Sequence, residues 1–369
     1  MNKKILAIAL LTIMLATTVP VFAQDIPTGV DVPAIPGNPP VIKAKWEEPD
    51  DADPGHSIPG TQINPPKTYE GTKTVTYWIV ATDPIDGKLN VDKALIAVYH
   101  PDGTFKYQFP LTEVDTSTPS ARASAAAIVQ QAYDDGLVHL NTGYEINEVI
   151  DEIIENDAKV YTGSADLDYH QMCGFYTVHA YAIDKETIWS EVFENQFEYV
   201  CWAGIDLDFN KINFGSVVQS TPKWVYGDEI FDVAMPGPAC KDGENPEPYC
   251  RRPTVRNIGN TPVYIEAEFS DMGFGQFMDG SWKVQFDSSL KHDAEIIFDP
   301  FVSTRLPDGG TEPEPYCEKN YAVLDLCDTE KISFSIHIIE ALVKGGHSGY
   351  STIEPVAMTY PWWPLGPCE

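Results

Sequence analysis

Apolar and polar residues alternate along much of the chain, and this pattern predicts β-strands. In residues 263–269 every second residue is apolar, so one face of this strand should be buried. Residues 254–256 form a second short β-type run, and the turn-type sequence NIGN lies between the two runs at 257–260. The pattern therefore predicts a hairpin whose apolar face packs on another sheet.

The first half of the chain combines strands with two helical periods. Strands are predicted at residues 72–82, 94–99, 105–109, 159–161, 174–183 and 191–200. Between them, Thr118 followed by Pro119 is a typical helix start, and apolar residues then recur at helical spacing in two stretches up to residue 156. We expect these two helices to cover a face or an edge of the sheet.

The second half shows about seven short β-type runs without a helical period. This spacing is typical of a β-sandwich. The predicted fold is therefore mainly β, with two immunoglobulin-like β-sandwich domains in tandem. The first domain covers residues 68–203 and contains a two-helix insertion at 119–156, and the second domain covers residues 204–345.

Both ends of the chain differ from this pattern. Residues 1–23 have a basic start, an apolar stretch and a small-residue cleavage site, which together predict a secretory signal peptide. Residues 24–67 are proline-rich and predicted to be extended. The apolar piece at 41–46 is either a strand of its own domain or a strand donated to a neighbouring molecule. Residues 346–369 form a Pro/Trp-rich tail.

The composition narrows the choice of partners. The formal net charge is −31, with 55 acidic against 24 basic residues, so nucleic acid and anionic lipid are poor partners. No segment after the predicted signal peptide approaches a membrane span, which favours a secreted, extracellular or cell-surface protein. Divalent cations, a cationic partner or simple solubility remain open.

The seven cysteines favour disulfides in a secreted chain. Cys173 and Cys201 flank two β-type runs symmetrically, so an antiparallel hairpin would place them opposite each other. Two further local pairs are Cys240 with Cys250 and Cys317 with Cys327. Cys368 is left over, as a free thiol or as a link between chains.

Few residues suggest a catalytic or metal-binding site. No zinc-protease helix, haem motif or nucleophile elbow is present, and we expect no enzyme and no cofactor. We expect no metal site, because turn formation and a polar strand face account better for the two weak calcium candidates, which are Asp83, Asp86, Asn90 and Asp92 in one loop and Asp206, Asp208 and Asn210 on one strand face. The candidate interaction residues are Trp46, Trp362, Trp363 and Cys368.

Three motifs carry a resemblance. G-x-Y-T-V-x-A-x-A-x-D at 174–184 resembles a strand of immunoglobulin-like and PKD-like domains of microbial surface proteins. I-x-F-G-x-V at 212–217 and V-x-N-x-G-N at 255–260 resemble uncharacterised secreted proteins of methanogenic archaea. The resemblance implies a cell-surface setting and transfers no catalytic residue.

The sequence therefore predicts an extracellular structural or adhesive surface protein that associates with itself or with other surface proteins. A more specific version is a subunit of a fibre or sheath assembled by strand addition. The alternative is a secreted carbohydrate- or calcium-binding module.

Overall fold

The structure is a computed structural model that describes residues 38–52, 60–84, 90–232, 237–240, 252–291, 296–307, 321–340 and 345–358. The predicted signal peptide lies outside the described residues. In chain order the elements are β1 Val41–Glu48, β2 Gln62–Ile63, β3 Thr72–Thr82, β4 Val91–Tyr99, β5 Phe105–Glu113, α1 Pro119–Asp134, β6 His139–Leu140, α2 Ile146–Glu155, β7 Lys159–Asp168, β8 Gly174–Asp184, β9 Phe193–Tyr199, β10 Ile205–Leu207, β11 Phe209–Asn213, β12 Lys223–Val225, β13 Gly237–Cys240, β14 Thr254–Asn257, β15 Val263–Phe269, β16 Val284–Leu290, β17 Ile297–Phe298, β18 Thr304–Arg305, β19 Val323–Leu324, β20 Thr329–Ile338 and β21 Ser351–Ala357.

Residues 41–199, here called the N-terminal region, form one nine-stranded sheet in the order β2-β9-β8-β4-β5-β7-β3-β1-β6. The sheet curls so that the inner faces of β3 and β9 meet, with the rings of Tyr77 and Phe197 6.3 Å apart. The enclosed core contains Ile79, Ile96 and Val178, all fully buried. Strict alternation along β8, with every second residue buried, matches the predicted strand.

The two helices cover the outer face of β1 and β3. The Thr118 hydroxyl accepts a hydrogen bond from the Ala121 amide at 3.1 Å, which confirms the predicted helix start. Val129 and Val149 pack with Trp46 in a second core. Trp46 is fully buried and stacks on Trp78. Its prediction as an interaction residue is therefore wrong, because the helices cover the strand that carries it.

Residues 205–357, here called the C-terminal region, contain several smaller sheets around one core. A six-stranded sheet runs β10-β14-β20-β16-β17, with β12 also pairing with β20. A second sheet runs β18-β15-β19, and β21 pairs with the length of β15. Phe269 of β15 stacks on Phe286 of β16 at 4.6 Å and contacts Phe334 of β20 edge-on, so the two sheets face each other as in a sandwich.

The predicted hairpin of residues 254–256 and 263–269 is wrong. The alternation is correct, since Val263, Ile265 and Phe269 are buried. However, β14 pairs with β10 and β20, whereas β15 pairs with β18, β19 and β21. The sequence at 257–260 is a buried crossing between two sheets, because its polar groups bond to residues 200–204 and 324 instead of closing a turn.

Two segments near the two ends of the described chain belong to sheets. β1, in the predicted extended segment, pairs with β3 and β6 of its own region. β21, in the predicted tail, pairs with β15 over seven residues. Both segments thus contribute strands to the described fold. In the part of the chain that the structure describes, no helix is long and apolar enough to span a membrane.

Candidate functional site

The connection between the two regions, residues 200–204, is held by hydrogen bonds to the buried segment 258–260. Asn260 is fully buried, and its side chain accepts from the Trp202 amide at 2.7 Å and donates to the Val200 carbonyl at 2.8 Å. Its backbone carbonyl accepts from the Cys173 amide at 3.3 Å, and its amide donates to the Trp202 carbonyl at 3.1 Å. One side chain and its backbone therefore hold the end of β9, the linker and the C-terminal region together.

Arg256 makes a second contact between the two regions. The Arg256 guanidinium lies 3.6 Å from the ring centre of Tyr69 and 3.9 Å from that of Phe231, and its Nη2 is 2.8 Å from Asp206 Oδ2. Tyr69 belongs to the N-terminal region, and the other three residues belong to the C-terminal region. A cation held between two rings and a carboxylate restricts rotation of one region against the other.

The predicted Cys173–Cys201 disulfide is present, with the two Cα atoms 4.9 Å apart. It closes the base of the β8–β9 hairpin beside the linker. The Cys327 thiol lies 3.1 Å from the Tyr169 hydroxyl across the junction. Cys250, Cys317 and Cys368 and the side chain of Cys240 lie outside the described residues, so the pairs of Cys240 with Cys250 and of Cys317 with Cys327 stay predictions.

An aromatic face forms the most distinct exposed surface of the N-terminal region. We define it as Tyr99, Phe105, His179, Tyr181 and Trp189. Neighbouring ring centres are 4.8 to 6.4 Å apart along the series, and Phe105 and Trp189 are about half exposed. The face exists because outward positions of β4, β5 and β8 carry rings and the β8–β9 connection adds Trp189.

Polar groups are fixed among these rings. His179 Nε2 is 3.1 Å from Glu194 Oε2, and the Tyr181 hydroxyl is 3.4 Å from His179 Nδ1. Both contacts are satisfied when His179 donates from Nε2 and accepts from Tyr181. Burial raises the pKa of Tyr181, so its hydroxyl remains a donor in neutral solution. Flat rings with oriented polar groups suit a sugar ring or a partner protein.

The first calcium candidate is only partly described, since Asp86 lies outside the described residues. Asp83 is buried, and its Oδ2 accepts from Asn90 Nδ2 at 3.0 Å, while the same amide donates to Glu186 at 2.8 Å. Asp92 lies 3.4 Å from the Lys93 ammonium. The Asn90 side chain thus acts as a donor that links Asp83 to Glu186.

The second candidate set does not share one strand face. β10 ends at Leu207 and β11 begins at Phe209, so Asp208 lies at a break between strands. Asp206 pairs with Arg256, and Asp208 Oδ1 accepts from the Thr254 amide at 2.8 Å. Within the described residues, no group of three or more His, Cys, Asp or Glu side chains is placed to hold a metal ion.

A cavity of about 870 Å³ opens in the C-terminal region between residues 210–219 and 345–351. The rings of Phe274 and His347 lie against each other on its wall at a tilt of 30°, with ring centres 4.6 Å apart. His347 lies in irregular chain that leads into β21, which lacks the strand-turn-helix setting of a nucleophile elbow. Trp362 and Trp363 lie outside the described residues.

The aromatic face was missed in the sequence, although a signal was present. The alternation in β8 places Tyr176, Val178 and Ala180 inward, so the intervening His179 and Tyr181 had to point outward. Such residues on an outward face indicate a contact surface.

Comparisons with known proteins give no family. No family model matches the chain, and no curated protein matches it. Among solved structures, the C-terminal domain of the Streptococcus pyogenes antigen I/II-family protein AspA is 11% identical with a TM-score of 0.22, over 86% of this chain and 97% of that chain. BcpA, the major pilin subunit of Bacillus cereus, is 12% identical with a TM-score of 0.23, over 66% of this chain and 62% of that chain. These scores are too low to carry an argument about this chain.

Proposed function

We propose that this chain is an extracellular structural or adhesive surface protein. In this proposal the predicted ranges 68–203 and 204–345, extended by β1 and β2 and by β21, are two immunoglobulin-like domains in tandem, and residues 119–156 are a helical insertion in the first. Its function is to make contacts with a surface, with other copies of itself or with a partner, and it performs no catalysis. Its resemblance to secreted archaeal proteins stays a prediction.

The observation that carries this proposal is the junction. Asn260 is fully buried and hydrogen-bonded to Val200 and Trp202 of the linker and to Cys173 of the N-terminal region, and Arg256 is held against Tyr69. A junction without such contacts would let two domains move independently. A stiff pair of β regions is suited to spacing or bearing tension, because the relative orientation of its two ends is fixed.

A more specific form of the proposal is assembly by strand addition. Since β1 completes its own sheet, the donor would come from residues 24–37, outside the described residues. In the described structure β21 pairs on one side with β15 and leaves its other edge open, which makes it the acceptor. Pro355 in β21 limits which backbone groups of that edge can pair.

Electron microscopy and sedimentation of purified residues 24–369 test this proposal. We expect ordered fibres or arrays, and we expect a variant lacking residues 24–37 to remain monomeric with an unchanged melting temperature. The control is Glu354→Ala, which changes one side chain on the acceptor strand β21 and keeps the strand itself. A monodisperse monomer that is unaffected by the deletion would contradict assembly by strand addition.

A second candidate function is carbohydrate binding, and the aromatic face favours it. Replacing Trp189 by alanine should weaken glycan binding at least about tenfold, because exposed aromatic anchors carry much of the binding energy of such surfaces. A glycan array identifies the ligand, and calorimetry measures its affinity.

Met278 provides the matched control for this variant, since it is fully exposed and lies away from the aromatic face. Its replacement by alanine should leave affinity unchanged. A blank array for the unmodified protein, or equal affinity of the Trp189 variant, would refute this second function.

A further inference from the structure

Three polar side chains meet inside the apolar core of the N-terminal region. Lys45 and Glu47 of β1 are both fully buried, and Asn195 of β9 is 8% exposed. The side chains of Lys45 and Glu47 face the same side of the sheet as Ile79 and Tyr77, the residues paired with them on β3. On β9, Asn195 occupies an inward position two residues before Phe197. Buried charges rarely stabilise a core, so these residues suggest a chemical role.

The three side chains are arranged around a single amide carbon. The Lys45 Nζ contacts Asn195 Oδ1, donates to the Val178 carbonyl at 2.8 Å and lies 3.2 Å from Glu47 Oε1. Asn195 Nδ2 donates to Glu47 Oε2 at 2.6 Å. One carboxylate therefore reaches both nitrogens, with one oxygen beside the amine and the other beside the carboxamide NH2.

The surroundings favour a reactive amine. Burial lowers the pKa of Lys45 to about 8, while Glu47 and Glu194 oppose this shift. A part of the amine is thus neutral near neutral pH, and a neutral amine is a nucleophile. His139 lies on the neighbouring strand β6, and burial lowers its pKa as well, so it adds little positive charge.

We propose that Lys45 and Asn195 become joined by an intramolecular amide bond, with Glu47 carrying the proton. The Lys45 Nζ lone pair forms a bond to Asn195 Cγ, and the carbonyl electron pair moves to Oδ1. Glu47 accepts a proton from Nζ and delivers it to Nδ2. The Cγ–Nδ2 bond then breaks and ammonia leaves. One amine and one carboxamide yield one secondary amide and one ammonia, so no oxidant, reductant or cofactor is consumed.

The position of the bond gives it a mechanical consequence. Residues 45 and 195 are 150 positions apart in the chain. They lie on β1 and β9, which are near opposite ends of the nine-strand order and face each other across the core. The amide would therefore tie the two sides of the curled sheet covalently, and the apolar surroundings would protect it from hydrolysis.

Mass spectrometry of the purified full chain tests the proposal. Proteolysis should release a branched peptide that joins Lys45 to Asn195, lighter than its two parts by one ammonia, about 17 Da. The branched peptide decides the result, because an N-terminal glutamine also loses ammonia. Its absence from correctly folded protein that contains the Cys173–Cys201 disulfide would overturn the proposal.

Variants separate the roles of the three residues. Asn195→Ala should abolish the branched peptide, and Glu47→Gln should abolish or greatly slow its formation while filling the same volume. Lys106→Ala is the control, since Lys106 contacts the Gln171 carboxamide at a half-exposed site, and the 45–195 peptide should persist. If Glu47→Gln does not fold, Glu47→Leu replaces it, because it also lacks the carboxylate. Full cross-linking in a folded Glu47 variant would remove that residue from the mechanism.

Discussion

Replacing Gly259 by alanine is expected to destabilise the protein by about 3 kcal/mol, at the upper end of the range for overpacked sites. A Cβ atom at this position would lie 2.4 Å from the Trp202 carbonyl oxygen and 2.8 Å from the Gly204 nitrogen. Both obstacles are backbone atoms of the linker and cannot move aside as a flexible side chain would. Urea denaturation, followed by fluorescence, measures the loss as a lower midpoint.

Gly346 is the matched control for this substitution. A Cβ atom added at Gly346 would meet no heavy atom within 4 Å, and the backbone there lies outside the left-handed region. Alanine at Gly346 should therefore change the free energy of unfolding by less than about 0.5 kcal/mol. Equal midpoints for the two variants would show that the linker does not approach Gly259 as closely as described.

Removing the Cys173–Cys201 disulfide should have an effect of similar size. The two residues are 28 positions apart, and closing a loop of this length stabilises a folded chain by about 3 to 4 kcal/mol in the chain-entropy account. The variant with alanine at both positions should melt at a lower temperature. The unmodified protein in reducing agent should melt at nearly the same temperature as this variant.

Cys327→Ala supplies the comparison, because it removes a thiol that contacts Tyr169 and keeps the disulfide. Its stability should stay within about 1 kcal/mol of the unmodified protein, the typical contribution of one hydrogen bond. If the double variant were as stable as the Cys327 variant, the bridge would not stabilise the hairpin base.

Local chemistry explains which parts of the fold were predictable. The bounds of β3, the start of α1 and the Cys173–Cys201 pair follow from alternation, a capping hydroxyl and symmetric spacing. Each of these signals acts within one element or one hairpin. The pairing of β14 and β15 with different sheets was not predictable, because alternation specifies which face is buried and not which strand lies alongside.

The buried polar cluster shows a second limit. Alternation along β1 suggests that Lys45 and Glu47 face water, as charged residues on a strand usually do. They face the core instead, because the helices occupy the opposite face, against Trp46. The sequence of one strand does not reveal that both of its faces are covered. For the same reason Trp46 is buried and is not an interaction residue, and the outward rings of β8 form the candidate interaction surface instead.

The strand order of the N-terminal region also constrains when it can fold. β1 lies between β3 and β6, and β2 pairs in parallel with β9, so early segments of the chain require partners that are synthesised much later. Such distant pairing slows folding. During synthesis, the first strands would therefore remain without their full set of neighbours until β9 had emerged.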